Sequence, residues 1–180
     1  SLQYLARCYC LLDKLPAAIE TYQKCMEIAL ELGLENDEYY YGVQHETALV
    51  YTNSCEYEKS LSILRAFPVK YRSNSLIGKN LFSLGKLDSA FYYLNKALNT
   101  DNVYTKESVY RYLYRLCDNS KYRKYLKTYC DSLLFYNDSI IALDKGKEII
   151  AYKEKYDHQK LITEQQRLKL EKADAQRMMF

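Results

Sequence analysis

Cysteine, histidine and carboxylate side chains are the groups in this sequence that could bind a metal ion or act as nucleophiles. Cys8 and Cys10 point about 200° apart on a helix, so they cannot share one ion. Glu154 and His158 share a helical face, but no third ligand is evident. The five glycines form no phosphate-binding loop. We therefore predict no catalytic set, no metal site and no cofactor, and an undetected enzyme or metalloprotein is the alternative.

Basic residues alternate with tyrosines in residues 110–115 and 121–125, a combination that can stack on single-stranded bases. On helices, however, these side chains point to different faces. The net charge is only +3, from 26 Lys and Arg against 23 Asp and Glu, whereas nucleic-acid-binding proteins usually carry a concentrated basic field. We therefore expect these tyrosines to pack between helices and the protein to bind no nucleic acid directly.

The composition indicates which elements must position the side chains. Only 5 Gly and 2 Pro occur in 180 residues, too few for the tight turns of a sandwich, a barrel or a doubly wound fold. The hydrophobic share of 48% is sufficient for a core, in which free cysteines can pack as small apolar groups. No segment approaches the roughly 18 apolar residues that span a bilayer. The sequence therefore predicts an all-α protein.

Small residues recur in pairs, and the members of each pair are twelve positions apart. The pairs are Ala6 and Ala18, Ala48 and Ser60, and Gly78 and Ala90, the last followed by Ala97. A small residue on each of two antiparallel helices lets their backbones approach, while larger residues at i+3 and i+4 fill the seam. A fainter fourth copy has bulky Leu113 and Tyr125 at these positions, so we expect its two helices to stand further apart.

The hydrophobic periodicity divides most of the chain into four helix pairs. The predicted helices cover residues 2–12 and 16–32, 37–53 and 57–66, 73–84 and 87–99, and 104–117 and 121–136. Asp138 or Ser139 can cap a further helix that continues towards Phe180 without a proline. We expect its apolar stripe, which includes Ile149 and Tyr152, to cover the last helix pair, because an array with an exposed end needs a cap.

The order of small and large residues resembles the tetratricopeptide repeat (TPR), a helix-pair unit of about 34 residues. The third pair, residues 71–104, is the most similar, although the early Trp and the late Pro typical of the family are missing. The resemblance implies a TPR-type α-solenoid of about four antiparallel helix pairs over residues 1–136, followed by a capping and extended C-terminal helix over residues 137–180. It also implies a non-enzymatic scaffold that binds a protein or a peptide.

Members of this family bind extended or helical peptides in a groove lined by the first helix of each pair. The family's groove positions correspond here to Arg7, Cys10, Leu11, His45, Leu49, Thr52, Asn53, Arg72, Lys79, Phe82, Tyr110, Tyr114 and Cys117. Their weakly basic and aromatic character suits a peptide with one or two acidic groups. Gln3 and Leu49 occupy two positions of the Lys/Asn clamp of chaperone-binding members, so a terminal carboxylate is disfavoured as the ligand. The chain's own C-terminal helix or a second copy could fill the groove instead.

Beyond His158 the sequence is rich in Lys, Glu, Gln and Arg, and its heptad seam is too broken to indicate a coiled coil. Many bacterial TPR proteins of similar Tyr- and Lys-rich composition end in such a charged helix, which then enters a membrane span. This resemblance implies the sensory part of a larger envelope protein, on the periplasmic side and anchored beyond Phe180. The alternatives are a cytoplasmic protein and a structural module that forms a homodimer through its C-terminal helix.

Overall fold

A computed structural model describes the backbone of residues 2–35 and 37–177 and the side chains as far as Glu171. The described chain is helical and contains no strand, so the all-α prediction is confirmed. The helices are α1 (Leu2–Leu11), α2 (Leu15–Glu31), α3 (Glu38–Asn53), α4 (Tyr57–Ala66), α5 (Asn74–Ser83), α6 (Leu87–Ala97), α7 (Val103–Leu116) and α8 (Leu126–Arg177). The first seven lie within two residues of the predicted bounds. Two 3₁₀ turns, Val69–Tyr71 and Arg123–Tyr125, precede α5 and α8.

The helices from α1 to α7 pack in chain order, each against the next. The closest approaches join α1 to α2, α3 to α4, and α5 to α6, so these form three antiparallel hairpins. The first helices of the second, third and fourth pairs begin at polar caps, because a side-chain oxygen of Asp37, Ser73 or Asn102 accepts a backbone N–H of the first turn. The second helices of the hairpins begin differently, directly from the hairpin turn.

The three hairpins share one turn geometry. Each turn contains a residue with positive φ, namely Asp13 (56°), Cys55 (60°) and Gly85 (72°). The N–H of the next residue donates to a carbonyl five positions earlier in all three turns: Lys14 to Tyr9 at 2.9 Å, Glu56 to Tyr51 at 2.8 Å, and Lys86 to Leu81 at 2.9 Å. This is the six-to-one bond of a Schellman motif, which satisfies a terminal carbonyl of the first helix. The three turns follow Ala6, Ala48 and Gly78 at the same distance in sequence.

The left-handed conformation of Cys55 brings its Cβ close to backbone atoms, and only glycine adopts this conformation without that strain. We expect Cys55→Gly to raise the free energy of unfolding by about 0.5–1 kcal/mol. Gly85→Ala is the matched control at the equivalent position and should lower it by about 1 kcal/mol. Urea denaturation followed by circular dichroism measures both. A loss of stability in Cys55→Gly would show that the Cys55 side chain makes a compensating contact.

The small residues of the sequence pattern lie in the core. Ala6, Ala18, Ala48, Ser60 and Ala90 are completely buried, and Ala97 is almost completely buried. Gly78 on α5 faces Leu94 on α6: a Cβ added to Gly78 would lie 2.7 Å from Leu94 Cγ. The third hairpin therefore tolerates no larger side chain at residue 78 in its present packing.

The fourth pair departs from this scheme. Its turn has no residue with positive φ, and a 3₁₀ turn fills part of the predicted helix 121–136, so α8 begins only at Leu126. The backbones of α7 and α8 do not approach as closely as those of the three hairpins. Leu113 is completely buried on α7, and the ring of Tyr110 on α7 packs against the ring of Tyr129 on α8 with centroids 6.1 Å apart. Large side chains thus fill a wider gap where the other pairs have small ones.

A new helix beginning at Asp138 or Ser139 is a wrong prediction, because α8 runs without a break from Leu126 to Arg177. The Ser139 hydroxyl does not cap a helix. It donates to the carbonyl of Phe135 at 2.8 Å, four residues earlier, inside the helix. A cap residue starts a helix only where the preceding backbone is non-helical, and no proline lies between Leu126 and Ser139 to break the helix.

The described chain divides after Leu134 into two units, the second of which consists of the distal part of α8. In that part Ile149, Ile150, Tyr152 and Tyr156 are 59% to 69% exposed. These four side chains form an exposed apolar stripe along this part of α8. No helix among the described residues combines the length and the apolar character that crossing a membrane requires.

Candidate binding surface

The helices α1 and α3 present a polar surface, and an ion pair links the two helices across it. Arg7 Nη2 on α1 donates to Glu46 Oε1 on α3 at 2.9 Å. The Arg7 side chain is half exposed, and Glu46 is less exposed. This hydrogen bond raises the pKa of Arg7. We call the surface around this pair, with the cavities on either side of it, the α1–α3 surface.

Two cavities share the Arg7–Glu46 pair. The first, of about 270 Å³, is lined by Arg7, Cys10, Tyr22, Glu46, Leu49 and Asn53 among others, and we call it the Tyr22 cavity. The second, of about 260 Å³, is lined by Arg7, Tyr41, His45, Glu46 and Tyr71 among others, and we call it the His45 cavity. The two cavities therefore form adjacent depressions along one surface.

Tyr22 belongs to α2 and is completely buried beneath the Tyr22 cavity. Its hydroxyl oxygen is inaccessible to solvent and forms no hydrogen bond of normal geometry with the described residues, although the Arg7 guanidinium and the Cys10 thiol lie beside it. Burial, together with the nearby charge of Glu46, raises the pKa of Tyr22. The phenol is consequently neutral at physiological pH and keeps a proton that it can donate.

Aromatic rings form the wall of the His45 cavity. Tyr41 stacks on Tyr71 with ring centroids 4.6 Å apart, and it contacts Phe67 edge-on at 5.5 Å. Burial lowers the pKa of His45, although Glu46 opposes the shift. His45 is therefore neutral at pH 7 and adds no charge to the surface.

The structure brings together six of the thirteen predicted groove residues. Arg7, Cys10, Leu11, His45, Leu49 and Asn53 line the two cavities. All six come from the first helices of the first two pairs, which the sequence pattern selects. Tyr22 and Glu46 also line the surface, although no groove position predicts them. Glu46 precedes the small residue Ala48 by two positions, and Tyr22 occupies a packing position, so neither carries a sequence signal for binding.

Three predicted groove residues have other roles. Thr52 bonds to Ser60 and to Asn80 between helices. Arg72 donates to the carbonyls of Phe67 at 2.8 Å and Arg65 at 3.0 Å, so its guanidinium caps the end of α4. Cys117 is buried in the core, where its thiol donates to the carbonyl of Leu113.

The remaining groove positions lie on α5 and α7, where packed side chains take up the space. Phe82 contacts Tyr112 edge-on, with centroids 5.4 Å apart, and the Arg115 guanidinium lies 5.0 Å from the Phe82 ring. Burial lowers the pKa of Lys79, whose ammonium lies 5.8 Å from the Tyr112 ring. Tyr110 packs against Tyr129, whereas Tyr114 is 40% exposed.

The α1–α3 surface itself is not basic. Glu46 neutralises Arg7, and His45 is uncharged. Arg72 is occupied by backbone carbonyls. Glu38 adds a second carboxylate to the lining of the His45 cavity. The linings of the two cavities therefore carry one cation, Arg7, and two carboxylates, a balance that does not favour an acidic peptide.

The orphan hydroxyl of Tyr22 leads to a stability prediction. Because the hydroxyl makes no hydrogen bond, Tyr22→Phe should leave the free energy of unfolding unchanged or raise it by up to about 1 kcal/mol. Tyr122→Phe is the matched control, since the buried Tyr122 hydroxyl donates to Asp88, and it should lose about 1 kcal/mol or more. Thermal and urea unfolding of the two variants test this difference. A loss in Tyr22→Phe equal to that of the control would mean that Tyr22 has a partner in solution.

Clusters of metal ligands and paired cysteines are the features that would mark a metalloprotein or a disulfide-linked protein in the described part of the chain. No group of three or more His, Cys, Asp or Glu side chains could hold a metal ion among the described residues. The six cysteines are free thiols, and two of them, Cys25 and Cys117, are buried. Comparison with known protein families, curated proteins and solved structures finds no match to this chain.

Proposed function

We propose that this protein is a non-enzymatic, TPR-type helical repeat that binds a peptide segment of another protein on its α1–α3 surface. The observation that carries the proposal is the pair of adjacent cavities on either side of the Arg7–Glu46 ion pair. A row of depressions along one surface suits an extended chain, whose successive side chains can enter successive pockets.

The shared geometry of the hairpins supports the TPR-type assignment. Three turns have the same backbone conformation at equivalent positions, and the small residues before and after each turn are buried. Repeating units of this kind stack on their neighbours and expose the first helix of each pair on one side. The α1–α3 surface consists of the first helices of two successive pairs.

Peptides selected from a random display library against the complete chain test the proposal. We expect them to bind wild-type protein, and Leu49→Arg should weaken binding at least tenfold, because Leu49 is 37% exposed and lines the Tyr22 cavity. Leu30→Arg is the matched control, since Leu30 on α2 is 49% exposed outside both cavities. Fluorescence anisotropy with labelled peptides measures the affinities. Equal binding by wild type and both variants would contradict the proposal.

Self-association through α8 is a second candidate function. The exposed side chains of Ile149, Ile150, Tyr152 and Tyr156 favour it, because an isolated helix gains little stability in water without packing of its apolar face. We expect light scattering to show a dimer that is lost on removal of residues 158–180 or in the double variant Ile149→Arg/Tyr152→Arg. Lys155→Ala on the same helix should keep the dimer, and a monomeric wild-type chain would exclude this function.

A further inference from the structure

We propose that the Tyr22 cavity is a subsite for an uncharged carboxamide, the side chain of Gln or Asn in a bound peptide. The subsite rests on the proposed function, because the peptide would lie along the α1–α3 surface. To the proposed function the subsite adds the chemical class of one peptide side chain that the surface recognises. Tyr22, Glu46 and Arg7 supply the polar contacts, and Leu49 and Val50 supply the apolar walls.

The hydroxyl of Tyr22 is the first reason for this assignment. A buried hydroxyl without a hydrogen bond has lost its hydration by water and has gained no partner in return. Native proteins rarely leave such a group unpaired. The ring of Tyr22 fills a core position that phenylalanine could also fill, so packing alone does not require the hydroxyl. A ligand oxygen that accepts the hydroxyl proton would satisfy it.

The balance of charge is the second reason. A carboxylate at the Tyr22 hydroxyl would approach Arg7 but would also approach Glu46, and an ammonium group would meet the opposite conflict. The Arg7–Glu46 hydrogen bond uses Glu46 Oε1, which leaves Oε2 as an acceptor. A carboxamide matches both groups: its oxygen accepts from Tyr22 and its NH₂ donates to Glu46.

The dimensions and the flexibility of the rim also agree with a side chain as the ligand. A cavity of about 270 Å³ is large enough for the side chain of glutamine. The Tyr22 hydroxyl lies below the surface, and the half-exposed Arg7 side chain lies at the rim. Arginine has a long, flexible stem, so the Arg7 guanidinium can shift along the rim and admit the carboxamide while it stays paired with Glu46.

Propionamide, which reproduces the glutamine side chain, tests the subsite without a peptide. In a titration of the ¹⁵N-labelled complete chain followed by NMR, we expect saturable shifts at the amides of residues 7–11 and 46–53. Tyr22→Phe should weaken the binding of propionamide about tenfold. Propionate and propylammonium should bind the wild-type protein more weakly than propionamide does. Equal titrations of wild type and Tyr22→Phe, or stronger binding of propionate, would overturn the subsite.

Selected peptides provide the second arm. Replacing their Gln or Asn residues by Leu should weaken binding to wild type about tenfold at one position, and this penalty should disappear in Tyr22→Phe. If peptides bind but no position depends on Tyr22, the subsite is wrong while the proposed function stands. If no peptide is selected but propionamide binds in a Tyr22-dependent manner, the subsite stands and peptide binding fails.

Discussion

Gly78→Ala should lower the free energy of unfolding by about 1–3 kcal/mol, although alanine is the better helix former. The added Cβ would lie 2.7 Å from Leu94 Cγ, 2.9 Å from Leu94 Cδ2 and 3.1 Å from the Leu94 backbone nitrogen. Leu94 is completely buried, so its side chain has no space into which it can move. Relief of this clash would require α5 and α6 to separate, which weakens the most extensive helix–helix contact among the described residues.

Gly42→Ala is the matched control for this prediction. Gly42 also lies within a helix, but it is exposed and a Cβ there meets no atom within 4 Å. The substitution should therefore raise the free energy of unfolding by about 0.5–1 kcal/mol through helix propensity alone. Ala90→Leu, on the opposite helix of the same hairpin, should behave like Gly78→Ala and lose about 1–3 kcal/mol. Urea denaturation of the three variants measures the contrast, and equal effects of the two glycine substitutions would contradict the proposed close contact.

The hairpins could be predicted from the sequence because their determinants are local. Small residues at fixed spacing, followed by a turn, specify how two neighbouring helices approach, and this information lies within about 25 residues of the chain. The bounds of α1 to α7 follow from the same periodicity. The continuity of α8 was not predictable in this way, because Ser139 is compatible with both a helix cap and an internal bond to Phe135.

The candidate binding surface was only partly predictable, because it depends on contacts between helices. Family positions place Arg7 on the surface, but they do not indicate that Glu46 neutralises it. The same limit applies to Arg72 and Cys117, whose partners are carbonyl oxygens that no side-chain pattern reveals. The charge of the surface is therefore a property of the three-dimensional arrangement, because it depends on carboxylates such as Glu38 and Glu46 that lie outside the projected groove positions.

Thr52, Ser60 and Asn80 form a polar network that joins α3, α4 and α5. The Asn80 amide nitrogen donates to Ser60 Oγ at 2.8 Å, and Thr52 Oγ1 donates to Asn80 Oδ1 at 2.9 Å. The Ser60 and Thr52 hydroxyls are 3.0 Å apart, so Ser60 can donate to Thr52 and close the ring. Ser60 and Asn80 are completely buried. Hydrogen bonds in a closed, buried ring strengthen one another.

Asn80→Ala should consequently lower the free energy of unfolding by about 2–4 kcal/mol, because it removes two hydrogen bonds and leaves a cavity between three helices. Asn53→Ala, an exposed asparagine at the end of α3, is the control and should change it by less than about 0.5 kcal/mol. Chemical denaturation measures both variants.

A double-mutant cycle separates the network from simple cavity formation. If Asn80 and Ser60 act together, Ser60→Ala combined with Asn80→Ala should lose less stability than the sum of the single variants, with a coupling of about 1 kcal/mol or more. The triple variant Thr52→Val/Ser60→Ala/Asn80→Leu should be more stable than Asn80→Ala, because it removes every partner at once and refills the volume. Strict additivity in the cycle would mean that the three side chains stabilise the helices independently, and the junction of the second and third hairpins would then depend on apolar packing alone.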